Sequence, residues 1–171
     1  MFMSIDVNKV KKIKMLVMDV DGIMTDARII KGSDGEWKRF FSVRDGVGIL
    51  ELKKRGYKTA VITGSNSLDV RQRMQHLKID YFFENKLDKE PAFEELKKEA
   101  GLTDEEISYI GDDIFDIPLL KLVGFSATVP EAIEDVKKEC DYITSRNGGY
   151  GAVRDLCHII LSHGYFCEGK K

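Results

Sequence analysis

Cysteine is scarce in this 171-residue chain, and the three present, Cys140, Cys157 and Cys167, are odd in number and lack metal-site spacing. That excludes a disulfide scaffold and fits ordinary thiols in a reducing cytoplasm. No apolar run approaches a membrane span, and the start Met1-Phe2-Met3-Ser4 lacks a signal-peptide core. Charge of one sign is missing too. Lys and Arg number 27 against 29 Asp and Glu, a net charge of −2 with both signs interleaved, so no footprint for nucleic acid exists. The three histidines, His76, His158 and His163, have no metal-compatible spacing. Repeats, low-complexity stretches and linkers are absent. The expectation is a cytoplasmic protein of one domain, residues 1–171, with neither membrane nor nucleic acid as partner.

What is present begins with Asp19-Val20-Asp21-Gly22-Ile23-Met24-Thr25, directly after the apolar run Ile13 to Met18. Such a run bounded by glycine predicts a buried strand. Strand alternation would send Asp19 and Asp21 the same way. Paired carboxylates repel, and a bound cation is the simplest compensation. A solvated Asp-Gly turn is the alternative, but three further elements follow in a matching rhythm. Tyr57 to Thr63 is an apolar strand ending in Thr63-Gly64-Ser65. Lys86 and Lys89 precede a helical pattern opening near Pro91. Ile107 to Ile110 is a strand running into Gly111-Asp112-Asp113-Ile114-Phe115-Asp116. In an open parallel α/β sheet, ligands bind outside the carboxyl ends of the strands, where all these polar clusters fall.

These residue types suit phosphoryl transfer. That reaction needs an in-line nucleophile, a cation and donors around the equatorial oxygens. One carboxylate can attack and a second can exchange the proton. Asp19, Asp21 and Asp112 offer hard oxygen ligands suited to Mg2+, and no His or Cys cluster favours zinc. Thr63 and one lysine would supply donors; spacing physics leaves Lys86 and Lys89 both open.

Strands and helices alternate along the chain. Helices are predicted at 46–55, 68–77, 91–100, 115–123, 131–139 and 151–163, and short strands at 81–83, 124–129 and 142–144. The fold class is α/β, a doubly wound parallel sheet. The exception is 27–41, where Arg28 to Lys31, Gly32-Ser33-Asp34-Gly35 and Glu36 to Phe41 predict a β-hairpin insertion. Its apolar residues exceed what a free ribbon can hide. Either Trp37 and the Phe pair fold onto this domain's core, or another subunit covers them.

The motifs Asp19 to Thr25, Thr63-Gly64, Lys89 and Gly111 to Asp116 resemble the four signatures of the haloacid dehalogenase (HAD) superfamily of phosphohydrolases. Phe41 to Ile49 and Asn147-Gly148-Gly149-Tyr150-Gly151-Ala152-Val153-Arg154 resemble, more narrowly, the 3-deoxy-D-manno-octulosonate 8-phosphate (KDO 8-phosphate) phosphatases. The likeness spans roughly residues 10 to 162. It implies a Rossmann-like core with no cap domain, Mg2+ as cofactor, a phosphorylated sugar acid as substrate and a role in lipopolysaccharide synthesis. It also implies a homotetramer in which neighbouring subunits cover each active site.

By resemblance Asp19 is the nucleophile and a metal ligand. Asp21 is the general acid/base and offers a backbone carbonyl to the metal. Thr63 is the phosphate-binding hydroxyl, Lys89 holds the phosphoryl group, and Asp112 is the remaining metal ligand. Asp113 and Asp116 position waters or neighbouring groups. Ser42, Val43, Arg44, Asp45, Gly46, Ser65 and Arg73 match substrate-contacting positions, and Arg154 pairs with an internal acid or reaches the substrate. Ser65 departs from the arginine usual in the octulosonate enzymes. That leaves a sialic-type nine-carbon 9-phosphate (KDN or N-acylneuraminate) as alternative substrate. A non-catalytic oligomerisation module, as in the cytidylyltransferase relatives, is the other function class. The tail 164–171 is expected to be mobile, with Lys170 or Lys171 able to attract an anionic ligand.

Overall fold

The computed structural model describes residues 5–167. A short helix that the periodicity did not reveal, α1 (Val7–Lys12), opens the chain and is capped by Asp6, whose carboxylate accepts from the Asn8 and Lys9 amides. Then come β1 (Met15–Met18), the hairpin strands β2 (Ile30–Lys31) and β3 (Trp37–Lys38), α2 (Val43–Lys54), β4 (Lys58–Ile62), α3 (Leu68–Leu77) and β5 (Tyr81–Phe83). The second half adds α4 (Glu90–Ala100), β6 (Ile107–Ile110), α5 (Ile117–Leu122), β7 (Phe125–Thr128), α6 (Glu134–Lys138), β8 (Tyr142–Ile143) and α7 (Ala152–His163).

Six strands form one parallel sheet in the order β5-β4-β1-β6-β7-β8. The chain runs outward from β1 through β4 to β5, returns, and continues through β6 to β8. With right-handed crossovers, that reversal puts the connecting helices on opposite faces. Accordingly α2 packs with α7 and α3, while α4 packs with α5. The strands β1 and β6 are wholly buried, as a parallel strand covered on both faces must be. The reversal leaves a crevice beyond the carboxyl ends of β1, β4 and β6.

Several helix bounds differ from the predicted ones for local reasons. α2 begins three residues early because the Ser42 hydroxyl caps it, accepting from the Asp45 amide. The predicted helix 115–123 splits: Ile114–Asp116 is a 3-10 turn, and α5 starts only at Ile117. The Asp116 carboxylate causes the split by binding backwards to the Asp112 and Asp113 amides. Residues 131–139 yield only α6.

The hairpin forms, with Ile30 opposite Lys38 and Lys31 opposite Trp37. Trp37 does not fold onto this chain's core: it is 49% exposed and Phe40 72%, whereas Phe41 packs against the core. Of the tail, the structure describes only its first residues. Tyr165–Cys167 make a 3-10 turn, and Phe166 meets the Tyr57 ring edge-on at 4.8 Å while its amide donates to the Tyr57 hydroxyl. Lys170 and Lys171 lie outside the described residues. Cys140 and Cys157 are buried free thiols, and burial pushes Cys140 up to about 12.

Candidate active site

The crevice holds a cavity of about 370 Å3 lined by Asp19, Asp21, Thr63, Gly64, Ser65, Lys89, Asp112, Asp113 and Asp116 among others. Asp19 follows β1 directly, and its amide donates to the Ile110 carbonyl, extending the β1–β6 ladder by one bond. Asp21 reaches the same cavity by a route other than strand alternation. β1 ends at Met18, and the amides of Ile23, Met24 and Thr25 all converge on the Val20 carbonyl at 2.9–3.3 Å. This tight turn, with Gly22 at φ +85°, brings the second carboxylate round. Any side chain on Gly22 would overlap the Asp112 carboxylate, and one on Gly148 would overlap the Gly22 carbonyl. The Gly148-Gly149 loop therefore seats the turn, and the Gly149 amide ties it to the Ile23 carbonyl at 2.9 Å.

Thr63 directly follows β4, buried, with its hydroxyl accepting from the Ser65 amide. The structure places the two lysines differently. Lys86 is exposed, while Lys89, at the N-cap of α4, is buried and points its ammonium at Asp19 (3.0 Å) and Asp116 (2.5 Å). Burial alone would lower the Lys89 pKa, but the two carboxylates outweigh it and raise it.

Asp116 is more than a water-positioning group. It is almost fully buried, with one oxygen accepting from Lys89 and the Tyr109 hydroxyl and the other from the Asp112 and Asp113 amides. Asp113 caps the 3-10 turn through the Ile114 amide.

Asp19, Asp112 and Asp116 each bring a carboxylate oxygen within 4.8 Å of the others. Asp116 has both oxygens committed to donors, whereas Asp112 keeps a buried oxygen with no hydrogen-bond partner. Burial, then the facing acids Asp19, Asp116 and Asp113, push Asp112 up to about 8. Asp19 is pushed up to about 7, chiefly by burial and against the pull of Lys89. One buried and one half-buried hard donor, the second with an orphaned oxygen and both held high chiefly by desolvation, fit a small divalent cation.

Not every predicted residue reaches this cavity. Val43 and Arg44 are exposed, Ser42 caps α2, and Gly46 packs against Arg73. Arg44 instead lines a separate basic hollow with Arg146 and Arg154. Arg73 donates to the Ser42 carbonyl at 2.9 Å and lies over the Phe41 ring. Asp45 is buried, accepting from the Arg154 backbone amide, so Arg154 meets the internal acid through its main chain.

One residue escaped sequence reasoning altogether. Arg39, at the foot of the hairpin, donates to Asp21 at 2.5 and 3.2 Å and to Ser65 at 3.1 Å. No local pattern marks it. The only hint was the missing arginine at position 65.

A profile of haloacid dehalogenase-like hydrolases matches residues 81–155. The KDO 8-phosphate phosphatase KdsC of Haemophilus influenzae is 40% identical over 153 residues, covering 90% of this chain and 85% of that one. This chain belongs to the KDO 8-phosphate phosphatases of the haloacid dehalogenase-like hydrolases. The crystal structure of the Moraxella catarrhalis KDO 8-phosphate phosphatase, in complex with magnesium, phosphate and KDO, is 39% identical. It superposes with a TM-score of 0.89 over 92% of this chain and 91% of that one. The cobalt-bound Haemophilus influenzae phosphatase is 40% identical, with a TM-score of 0.87 over 91% of each chain. Three strand ends and the N-cap of α4, rather than one contiguous motif, carry the site.

Proposed function

We propose that this protein is a magnesium-dependent phosphatase that hydrolyses KDO 8-phosphate to KDO and inorganic phosphate through an aspartyl-phosphate on Asp19. The observation that carries the reading is the cavity itself. It sets Asp19 between Lys89 and the half-unpartnered Asp112, with Asp21, Thr63 and Ser65 on its wall.

Asp19, Asp112 and the Asp21 backbone carbonyl would hold Mg2+, which when bound neutralises phosphate charge and keeps the carboxylates ionised. Asp19 attacks phosphorus as the phosphorus–oxygen bond to the sugar breaks, and Asp21 gives its proton to the departing oxygen. Asp21 then takes a proton from the water that cleaves the aspartyl-phosphate. Lys89 and the Thr63 hydroxyl supply donors to the phosphoryl oxygens. Asp116 positions Lys89, since its carboxylate holds the same ammonium that faces Asp19.

The sugar acid is the finer question. Ser65 replaces an arginine, yet the Arg39 guanidinium lies 3.1 Å from its hydroxyl. A nine-carbon 9-phosphate remains the second candidate on the strength of Ser65. A scaffold without catalysis has no support, because Asp19, Asp21, Lys89 and Asp112 are all kept and assembled.

A homotetramer is part of the same reading. Ile29, Ile30, Trp37, Phe40 and Val43 form an exposed apolar set on and beside the hairpin, and the exposed Arg44 lies outside this chain's own cavity. The assignment to lipopolysaccharide synthesis in the cytoplasm rests on the substrate and on two free buried thiols. Among the described residues no helix is long and apolar enough to cross a membrane.

The test is phosphate release with Mg2+ from KDO 8-phosphate, nine-carbon analogues and simple phosphosugars, compared as kcat/KM. Preference for KDO 8-phosphate, abolished by Asp19→Asn, is the expected result. Preference for a nine-carbon ester would move the enzyme to the sialic-type branch.

A further inference from the structure

Arg39 sits where three separate pieces of chain meet. Its Nε donates to Asp21 Oδ1 at 2.5 Å, and its Nη2 reaches Asp21 Oδ2 at 3.2 Å and Ser65 Oγ at 3.1 Å. Its Nη1 lies 2.8 Å from Ser67 Oγ and 3.2 and 3.4 Å from the two Asp69 oxygens. The far side of this clamp is itself locked, because Ser67 donates to Asp69 at 2.6 Å and lies 3.0 Å from Ser65 Oγ.

A guanidinium has five N–H donors in a rigid fork. Here every one is directed at a protein acceptor, so none is left over for a substrate group. The Arg39 side chain is 9% exposed, whereas the Asp21 side chain it grips is 39% exposed. Asp21 stands on a tight turn and is gripped through both of its carboxylate oxygens by this one cation. Without that grip a half-exposed carboxylate would sample several rotamers, and few of them would face a leaving oxygen.

We propose that Arg39 is a positioning residue for the phosphatase reaction proposed above. It fixes the Asp21 carboxylate against the loop after β4 and makes proton delivery to the leaving oxygen depend on the base of the hairpin. The inference rests on the assignment of Asp21 as general acid, but not on which sugar acid is hydrolysed. Oδ1 is the anchor, and the longer contact to Oδ2 leaves that oxygen the freer to turn. As the Asp19–phosphorus bond forms and the phosphorus–oxygen bond to the leaving group breaks, the proton on Asp21 passes to the departing oxygen.

The discriminating measurement is leaving-group dependence, with Mg2+ present. Arg39→Ala, Arg39→Lys and Asp21→Asn are compared with wild type by kcat/KM, which reports steps up to leaving-group departure. The substrates are 4-nitrophenyl phosphate, the best carboxylate-free alkyl phosphate that the wild type accepts, and KDO 8-phosphate. Nitrophenolate departs without a proton and an alkoxide does not. In Arg39→Ala the alkyl ester is expected to lose about 10²-fold, the lower end of a general acid's contribution. The aryl ester is expected to change less than about threefold, the same pattern as Asp21→Asn. Arg39→Lys keeps the charge without the fork and falls between. It supplies the answer if Arg39→Ala does not fold.

Equal losses on both simple esters would reduce Arg39 to a structural brace and overturn the proposal. So would unchanged alkyl turnover. A loss confined to KDO 8-phosphate would overturn it in favour of direct recognition of the sugar acid. Because two simple esters carry the test, a wrong identification of the sugar acid would show separately, in the wild-type KDO 8-phosphate rate.

Discussion

The ammonium of Lys89 is shared between Asp19 at 3.0 Å and Asp116 at 2.5 Å, so the proposed nucleophile and a residue 97 positions later hold one cation in common. The arrangement resolves a conflict of charges. Lys89 cannot be buried unpaired, and Asp19 alone could not both hold it and attack phosphorus. Asp116 fixes the ammonium with one oxygen while its other oxygen organises the Asp112 backbone. One carboxylate thereby sets the positions of Lys89 and of the proposed metal ligand Asp112.

Asp116→Asn replaces one acceptor oxygen by a donor, so either the Lys89 and Tyr109 side or the two backbone amides lose their partner. The expected cost is about 1–3 kcal/mol, with a fall in Tm of roughly 3–10 °C. Phosphate release is expected to fall as well, because Lys89 is no longer held. Thermal unfolding and steady-state rates check both; unchanged values for both would remove Asp116 from the site's support.

Asp112→Asn should invert the usual sign of an active-site change. It removes a carboxyl whose pKa is raised to about 8 by burial and neighbouring acids and which ionises more readily in the unfolded chain, so at neutral pH the metal-free variant is expected to melt higher than metal-free wild type. Adding Mg2+ should raise the wild-type Tm and leave the variant unmoved, since a ligand stabilises only the state that binds it. Equal Mg2+ shifts in both proteins would place the cation elsewhere.

Asp45 carries a pH signature away from the metal site. Burial raises its pKa, opposed by the Arg154 and Gly151 amides, by Ser42 and by the Arg73 guanidinium; Cys157 is the other titratable neighbour. A carboxyl raised in the folded state binds its proton more tightly there than in the unfolded chain, where it titrates near about 3.9. Its contribution is therefore full below about pH 4 and is lost as pH rises through the raised value. The Tm advantage of Asp45→Asn over wild type should grow between pH 4 and pH 8. A difference independent of pH would show that Asp45 is not buried as a charge.

The exposed hairpin predicts assembly. Phe40→Asp combined with Val43→Asp puts charge on two side chains that are 72% and 77% exposed in the isolated chain. The double variant is expected to lose the tetramer in light scattering while keeping its far-UV circular dichroism. Loss of KDO 8-phosphate turnover should accompany it if a neighbour completes the site. A tetramer that survives both charges would place the interface on another surface.

The candidate site was legible because its chemistry sits at the ends of apolar strands, where hydrophobic runs and glycines are local signals. Asp19, Thr63 and Asp112 were found this way, and the crevice followed from parallel connectivity. Asp21 was found for a reason that does not hold, since a turn rather than strand alternation carries it there. The choice of Lys89 over Lys86 came from family spacing alone; burial gives the physical cause. α1 was missed because two turns with a single fully buried residue, Val10, show no periodicity.

By itself the sequence determined the parallel α/β sheet, the crevice and the residue types available for phosphoryl transfer, because strand hydrophobicity and turn glycines act between near neighbours. Only the tertiary structure decided how those charges are held. Arg39 meets Asp21 across 18 residues, Lys89 meets Asp116 across 27, and Gly148 seats against Gly22 across the molecule. Such pairings depend on where separately folded segments come to rest, and hydrogen bonds between distant segments leave no periodic trace in the chain.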